Sequence, residues 1–211
     1  MSKLIVPDWS DNIVVVVASG PTARDVGVEK IRDANVRMIV VNTSYKLVPY
    51  ANLLYATDFQ WWYHNHRGVE QNFRGQRVAP SKKKIETTFN KIYTVDVVPP
   101  HDPRHSTIIL APEGLIGSGG NSGFQALNIA AQTGTSRIVM VGFDMTTGLG
   151  YHWHGDHKAR NPEETDTARW AMILDEQAAV FKSAGIEVFN CSPISALQNY
   201  PKVRLSTGLY G

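Results

Sequence analysis

The chain has 211 residues, long enough for one α/β domain with a substantial core and cramped for two. Hydrophobic residues make up 43% and charged residues 19%, and no apolar run approaches the length of a bilayer span, so a soluble globular protein is expected. A net charge of +2 is too small to imply nucleic-acid binding, and the lone Cys191 excludes an internal disulfide framework. The N-terminus lacks a secretory signal core, which makes the cytoplasm the expected location.

Apolar, β-branched runs bounded by turn residues recur at NIVVVVASGP (12–21), VRMIVVNTS (36–44), NLLYATD (52–58), SRIVMVGFD (136–144) and IEVFNCSP (186–193). Such runs suit strands buried on both faces of a parallel sheet. Helical spacing is predicted over 22–34 from Val26, Lys30 or Ile31, and Ala34, and over 122–133 from Phe124, Leu127, Asn128 and Ala131. The longest helical pattern covers 163–184, with Gly185 as its stop. Residues 59–110 are less regular, with FQWWYHNHRG, two short strand candidates (GQRVAPS and KIYTVDVV) and the polar PPHDPRHS, and they are read as an insertion. The C-terminal SPISALQNYPKVRL reads as a short helix and tail. Together these elements predict a single α/β domain over 1–211, Rossmann-like and doubly wound, with a mostly parallel sheet and an irregular insertion around 59–110.

Open sheets of this kind bind ligands beyond the carboxyl ends of their strands, where loops diverge and helix N-termini aim N–H groups into the crevice. Several of the expected strand ends carry polar tips: Ser19-Gly20-Pro21-Thr22, then Asn42-Thr43-Ser44, then Asp58. Any one of these is an ordinary turn with a helix cap, but their recurrence at successive strand ends points to a site. The segment GSGGNSG (117–123) opens a helix, and its small residues, Ser118, Gly119, Gly120, Asn121, Ser122 and Gly123, let backbone amides approach an anion. A flexible linker is the alternative, and the spacing is neither that of an ATP-binding P-loop nor that of a dinucleotide fingerprint.

The run His152-Trp153-His154-Gly155-Asp156-His157 spells HxHxDH, a zinc-hydrolase signature. No histidine follows His157 to complete a metal shell, and the βα alternation is wrong for such hydrolases. The run is better read as a loop after the GFD strand end that presents a histidine as a general base. Trp61, Trp62, Tyr63, His64 and His66 either line an acceptor groove or pack in the core, and Trp170 is expected to pack. Arg74, Arg77, Lys82, Lys83 and Lys84 concentrate positive charge locally, most simply as a solvated loop.

In their order along the chain, Ser19-Gly20-Pro21-Thr22, Asn42, Asn121-Ser122-Gly123 and Gly142-Phe143-Asp144 resemble the pattern of glycosyltransferase family 42, the bacterial sialyltransferases, and of the related 6-hydroxymethylpterin diphosphokinase-like proteins. The chain also looks like phage-encoded proteins of this superfamily that carry an HWHGDH loop. The resemblance covers residues 13–145 in outline. It implies that Ser19, Gly20 and Thr22 approach a donor phosphate or ribose, Asn42 the nucleotide, and Asn121, Ser122 and Gly123 its base or phosphate. It also places the catalytic base and a phosphate-binding tyrosine in the segment holding Tyr151, His152, His154 and His157. Ser19 departs from the asparagine of the family's first turn, and Thr146 stands where a tyrosine is expected.

The expected function is nucleotide-dependent transfer, a sugar moving from a nucleotide-sugar donor to an acceptor hydroxyl with His152, His154 or His157 as base. No cofactor is required for that reaction. An Mg²⁺ held by Asp58 or Asp144 would suit a pyrophosphoryl-transfer variant instead. Two further classes stay open: a non-catalytic nucleotide-sequestering protein, and a metal-dependent hydrolase built on HWHGDH. The expected partner is a small nucleotide ligand rather than a membrane or nucleic acid.

Overall fold

The computed structural model describes residues 2–155 and 161–211. Its strands are β1 (Ile13–Val17), β2 (Val36–Val41), β3 (Leu53–Tyr55), β4 (Gln76–Pro80), β5 (Tyr93–Val97), β6 (Leu115–Ile116), β7 (Arg137–Val141) and β8 (Glu187–Asn190). They form one sheet in the order β6-β5-β4-β3-β2-β1-β7-β8, and every neighbouring pair is parallel. The Val-rich β1 lies in the interior of the sheet because both of its faces find cover. Val14 and Val16 enter one core, whereas Val15 and Val17 enter the other, as the two-residue period of a strand requires.

Helices α3 (Ser122–Gln132), α4 (Glu164–Glu176) and α5 (Ala178–Ser183) supply the first core, through residues such as Phe124, Leu127, Leu174 and Phe181. Helices α1 (Phe59–Asn72), α2 (Lys83–Thr88) and α6 (Leu205–Tyr210) cover the opposite face, with Trp61, Trp62, Ile85 and Leu209. The chain steps outward from β1 to β6, then α3 carries it back to β7 on the other side of β1. The strand order therefore reverses between β1 and β7, the position at which open α/β sheets bind their ligands.

All eleven residues of α3 are buried, although three of them carry amides that point to one side. Gln125, Asn128 and Gln132 fall on one face at i, i+3 and i+7, and they bind the backbone that precedes the helix. Asn128 accepts from Ile109 N (3.0 Å) and Gly117 N (2.9 Å) and donates to Ile109 O (2.7 Å). Gln132 donates to Ile109 O and Leu115 O and accepts from Gly114 N, while Gln125 donates to Ser118 O. Asn128 and Gln132 are satisfied by backbone groups, and Gln125 by Ser118 O together with the Tyr55 and Thr57 hydroxyls, which explains how so polar a stripe sits inside a core.

Four expectations change in detail. The helix expected over 22–34 reduces to 3₁₀ turns at Pro21–Arg24 and Val28–Lys30, because Gly27 turns left-handed at φ 74° between them. Within 59–110, residues 59–97 form the regular series α1, β4, α2 and β5, and the irregular stretch narrows to residues 98–110. The long helix over 163–184 breaks into α4 and α5 at Gln177, whose buried side-chain oxygen accepts from Ile108 N at 2.9 Å. The C-terminal helix falls at Leu205–Tyr210, beyond most of the stretch expected to hold it. No helix among the described residues is long and apolar enough to cross a membrane.

Candidate functional site

At the β1–β7 junction the two strand ends are tied by one carboxylate. Asp144, 1% exposed, accepts from Thr22 N at 2.8 Å and from the Thr22 hydroxyl. Burial raises its pKa, and the two Thr22 bonds oppose that rise. Gly20 fits beneath this pair for a steric reason: a Cβ there would run into Gly142 O and lie 2.7 Å from Asp144 Oδ2. Gly20 N donates to Gly142 O at 3.0 Å. Pro21 opens the adjoining 3₁₀ turn, where its missing N–H costs nothing. Asp144 thus joins two loops.

The end of β2 is joined to the same loop through hydroxyls. Ser19 Oγ donates to Val41 O (3.3 Å) and lies 3.3 Å from Ser44 Oγ, which donates to Ala18 O (2.8 Å). Trp153, in the HWHGDH segment, closes over this joint: its N–H donates to Ser19 O (3.1 Å) and its indole Nε1 to Ser44 Oγ (3.2 Å). Arg24 lies over the Trp153 ring at 5.3 Å. Asn42 comes directly after β2 with φ 50°, a left-handed conformation that asparagine tolerates better than most residues. Its Oδ1 is buried and has no hydrogen-bond partner among the described residues. Met145, just past Asp144, also has positive φ (52°), so positive-φ residues stand at the ends of both β2 and β7.

The glycine segment is held in place and is not a flexible joint. Ser118 N and Gly119 N both donate to His105 O, at 2.7 and 3.0 Å. Gly119 and Gly120 take φ values of 54° and 77°, and a Cβ at Gly119 would overlap the Phe124 ring. Asn121 caps α3 by accepting from Phe124 N at 2.9 Å, which leaves the first-turn N–H groups of Ser122 and Gly123 outside the helical ladder. Ser122 Oγ donates to Thr57 Oγ1 at 2.9 Å, and Thr57 and Tyr55 both donate to Gln125 Oε1, at 2.5 and 2.7 Å. This chain of hydroxyls fixes the α3 N-terminus to the end of β3. A Cβ at Gly123 would lie 3.1 Å from the Phe143 ring, so the same turn reaches the end of β7. A Cβ at Gly120 would lie 3.1 Å from Trp170 Nε1, a buried donor without a hydrogen-bond partner among the described residues.

Four strand ends, of β1, β2, β3 and β7, and the start of α3 are therefore linked by direct contacts, with Trp153 packed on top. His152 and His154 flank Trp153, their rings stacked at 5.2 Å and 9°. Tyr151 is 38% exposed beside them. His157 and Asp156 lie outside the described residues. Among the described residues, no three His, Cys, Asp or Glu side chains are placed to share a metal. Asp58 starts α1 without a side-chain cap. The Ser19 and Thr22 hydroxyls are taken up inside the protein, by Val41 O and Asp144. Trp61 and Trp62 are core residues, 8% and 1% exposed, whereas Tyr63 is 56% exposed. Cys191 is buried, and burial pushes its thiol up to about 11. Thr57, Gln125 and Trp170 enter the site without any sequence motif pointing to them. A cavity of about 750 Å³ lies elsewhere, between α5, β8 and Tyr200, and Asp175 on its wall is taken up by Gln198 N and Asn199 N.

No protein-family model matches the chain, and no curated protein matches it. Its fold has counterparts among solved structures. The monofunctional α-2,3-sialyltransferase Cst-I from Campylobacter jejuni superposes with a TM-score of 0.62 at 9% identity, over 99% of this chain and 86% of that one. The sialyltransferase CstII from Campylobacter jejuni, in complex with the substrate analogue CMP-3FNeuAc, superposes at 0.57 and 12% identity, over 95% and 89% of the two chains. CST-II in complex with a trisaccharide acceptor and CMP gives 0.57 at 14% identity, over 92% and 86%. The α/β fold expected from the strand and helix pattern is thus the fold that these sialyltransferases share.

Proposed function

We propose that this protein is a glycosyltransferase that takes its sugar from a nucleotide-sugar donor bound in the crevice between β1 and β7. The observation that carries this reading is the seating of the α3 N-terminus: the Ser122 and Gly123 N–H groups are held beside the ends of β3 and β7, where an anionic phosphate is favoured. Support comes from the two CstII structures on a similar fold, crystallised with the substrate analogue CMP-3FNeuAc and with a trisaccharide acceptor and CMP. Gly120 and the buried indole N–H of Trp170 extend the donor set around the same turn, and Asn42 Oδ1 offers an acceptor to a nucleotide hydroxyl or amine.

In this reading the acceptor hydroxyl attacks the anomeric carbon and loses its proton to His152 or His154. The bond between that carbon and the donor phosphate oxygen breaks, and the nucleotide leaves with the electron pair. The α3 N-terminus and the Trp170 N–H stabilise the charge on the departing phosphate, in a site where donors already in place need not reorganise. Thr146, half-buried after Met145, supplies only a short hydroxyl at the position expected to hold a tyrosine, so Tyr151 is the tyrosine available to the leaving group. His157 is a third base candidate, outside the described residues. Asp144 needs no metal partner in this scheme because Thr22 occupies both of its oxygens.

The test is nucleotide release from a panel of nucleotide sugars, measured for wild type and for His152→Ala, His154→Ala and His157→Ala. One histidine variant should lose about 10²–10⁴-fold in kcat while keeping its nucleotide affinity. Full turnover in all three variants would remove the general-base role. Nucleotide binding without any turnover would instead mark a sequestering protein.

A further inference from the structure

Away from the strand ends, on the α1 face of the sheet, β4 carries an arginine where an interior strand ordinarily carries an aliphatic residue. Arg77 is the second residue of β4 and pairs in register with Leu54 of β3. Its side chain is 14% exposed and borders a cavity of about 230 Å³, walled by α1, β4 and the connection from α2 to β5. A guanidinium has five N–H donors and is always charged, so burying it demands acceptors. Among the described residues, Arg77 makes no side-chain hydrogen bond. One carboxylate oxygen comes within 4 Å, Glu70 Oε1 at 3.8 Å, beyond hydrogen-bond reach. Glu70 itself is 51% exposed at the cavity mouth, so water competes for it.

The rest of the lining complements a negative group rather than a second cation. His66 and Asn90 supply polar atoms, while Trp62, Val69 and Phe89 form apolar walls that lower the local dielectric. His66 Nδ1 is 3.1 Å from Tyr63 O, a carbonyl that can only accept, so Nδ1 carries a proton, and Nε2 donates to a bound oxyanion in the imidazolium form of the ring. The His66 ring rests 5.3 Å from the Phe89 ring, which fixes its direction. The volume is below the range of drug-sized ligand pockets, about 300–1,000 Å³, and suits a small group.

We infer that this cavity is a second binding site, for a small oxyanion, a phosphoryl or carboxylate group, held by Arg77 with His66 and Asn90 beside it and with Glu70 as an internal competitor at its mouth. The site is independent of the nucleotide crevice, which lies beyond the carboxyl ends of the strands. Because the local positive charge around Arg74 and Arg77 reads in the sequence as a solvated loop, the mostly buried side chain of Arg77 is what distinguishes it from its neighbours.

The experiment is an NMR titration of the ¹⁵N-labelled full chain with inorganic phosphate, with acetate and, at matched ionic strength, with chloride. The Arg77 Nε–H and the Asn90 amide should shift saturably with phosphate or acetate and not with chloride; which of the two binds assigns a phosphoryl or a carboxylate ligand. Glu70→Gln removes the competing carboxylate and should tighten binding about tenfold, and Arg77→Met should abolish it with the remaining spectrum unchanged. If Arg77→Met does not fold, Glu70→Gln decides: unchanged or weaker affinity overturns the inference. So does the absence of saturation with either anion, or phosphate shifts confined to Ser122 and Gly123.

Discussion

Asp144 and Thr22 are 122 residues apart in sequence, yet the Asp144 carboxylate takes both the backbone N–H and the hydroxyl of Thr22. That pair locks the end of β7 to the end of β1 at the point where strand order reverses. Asp144→Ala would leave a buried Thr22 N–H without an acceptor and should cost about 2–4 kcal/mol. Thr22→Val, which keeps the N–H bond, should cost about 1 kcal/mol. Chemical denaturation of both single variants and the double variant checks this, and the double should cost less than the sum because the residues share one interaction.

The glycine segment makes a steric prediction. Gly119 has φ 54°, and its Cβ position is filled by the Phe124 ring, so Gly119→Ala should cost about 3 kcal/mol through backbone strain and overpacking together. Gly120, which faces Trp170 at 3.1 Å, should cost about 1 kcal/mol as alanine, mainly from its positive φ. Thermal melts of the two variants should show the first far below the second. Equal melting temperatures would mean that the segment is looser than its hydrogen bonds to His105 imply.

Asn128 is fully buried and makes three hydrogen bonds to Ile109 and Gly117. Asn128→Ala should cost about 3 kcal/mol, since it strands buried backbone groups on both sides of the segment it holds. Hydrogen exchange of Ile109 and Gly117 should accelerate in that variant, while exchange in β1 changes only with global stability.

How much of this is legible in the sequence depends on burial. The β1, β2 and β7 runs are readable because strands covered on both faces are apolar throughout, and VVVV has few other uses. Helix α1 is obscured because its buried residues are only Trp61, Trp62 and Val69, and the Asn, His and Arg between them dilute the helical period. The polar tips at strand ends point to the crevice, but for partly different reasons than expected. Ser19, Gly20 and Thr22 build the β1–β7 joint itself, which no local pattern reveals, since their partners lie at Val41, Gly142 and Asp144. Gln125, Asn128 and Gln132 do carry a signal in their i, i+3, i+7 spacing, the mark of one helix face given to hydrogen bonds. Trp170 reads as a packing residue because a sequence cannot tell where an indole N–H points.

Cys191 gives a pH prediction. Its thiol sits well above the ordinary value of 9.0, at about 11, because burial disfavours the thiolate. A group raised in the folded state stabilises fully below its unfolded pKa and loses that contribution as pH climbs through the folded one. Stability should therefore fall between about pH 9 and 11 more steeply in wild type than in Cys191→Ala. At neutral pH the native thiol should resist thiol-specific reagents that label the unfolded chain at once.

The linked strand ends are proposed to form a seat for a nucleotide phosphate at the start of α3. The decisive measurement is a crystal structure with the nucleotide that most raises the melting temperature. The phosphate is expected within hydrogen-bond distance of the Ser122 and Gly123 N–H groups, with Asn42 Oδ1 on the nucleoside. A nucleotide bound elsewhere on the protein, or a panel in which no nucleotide raises the melting temperature, would contradict it.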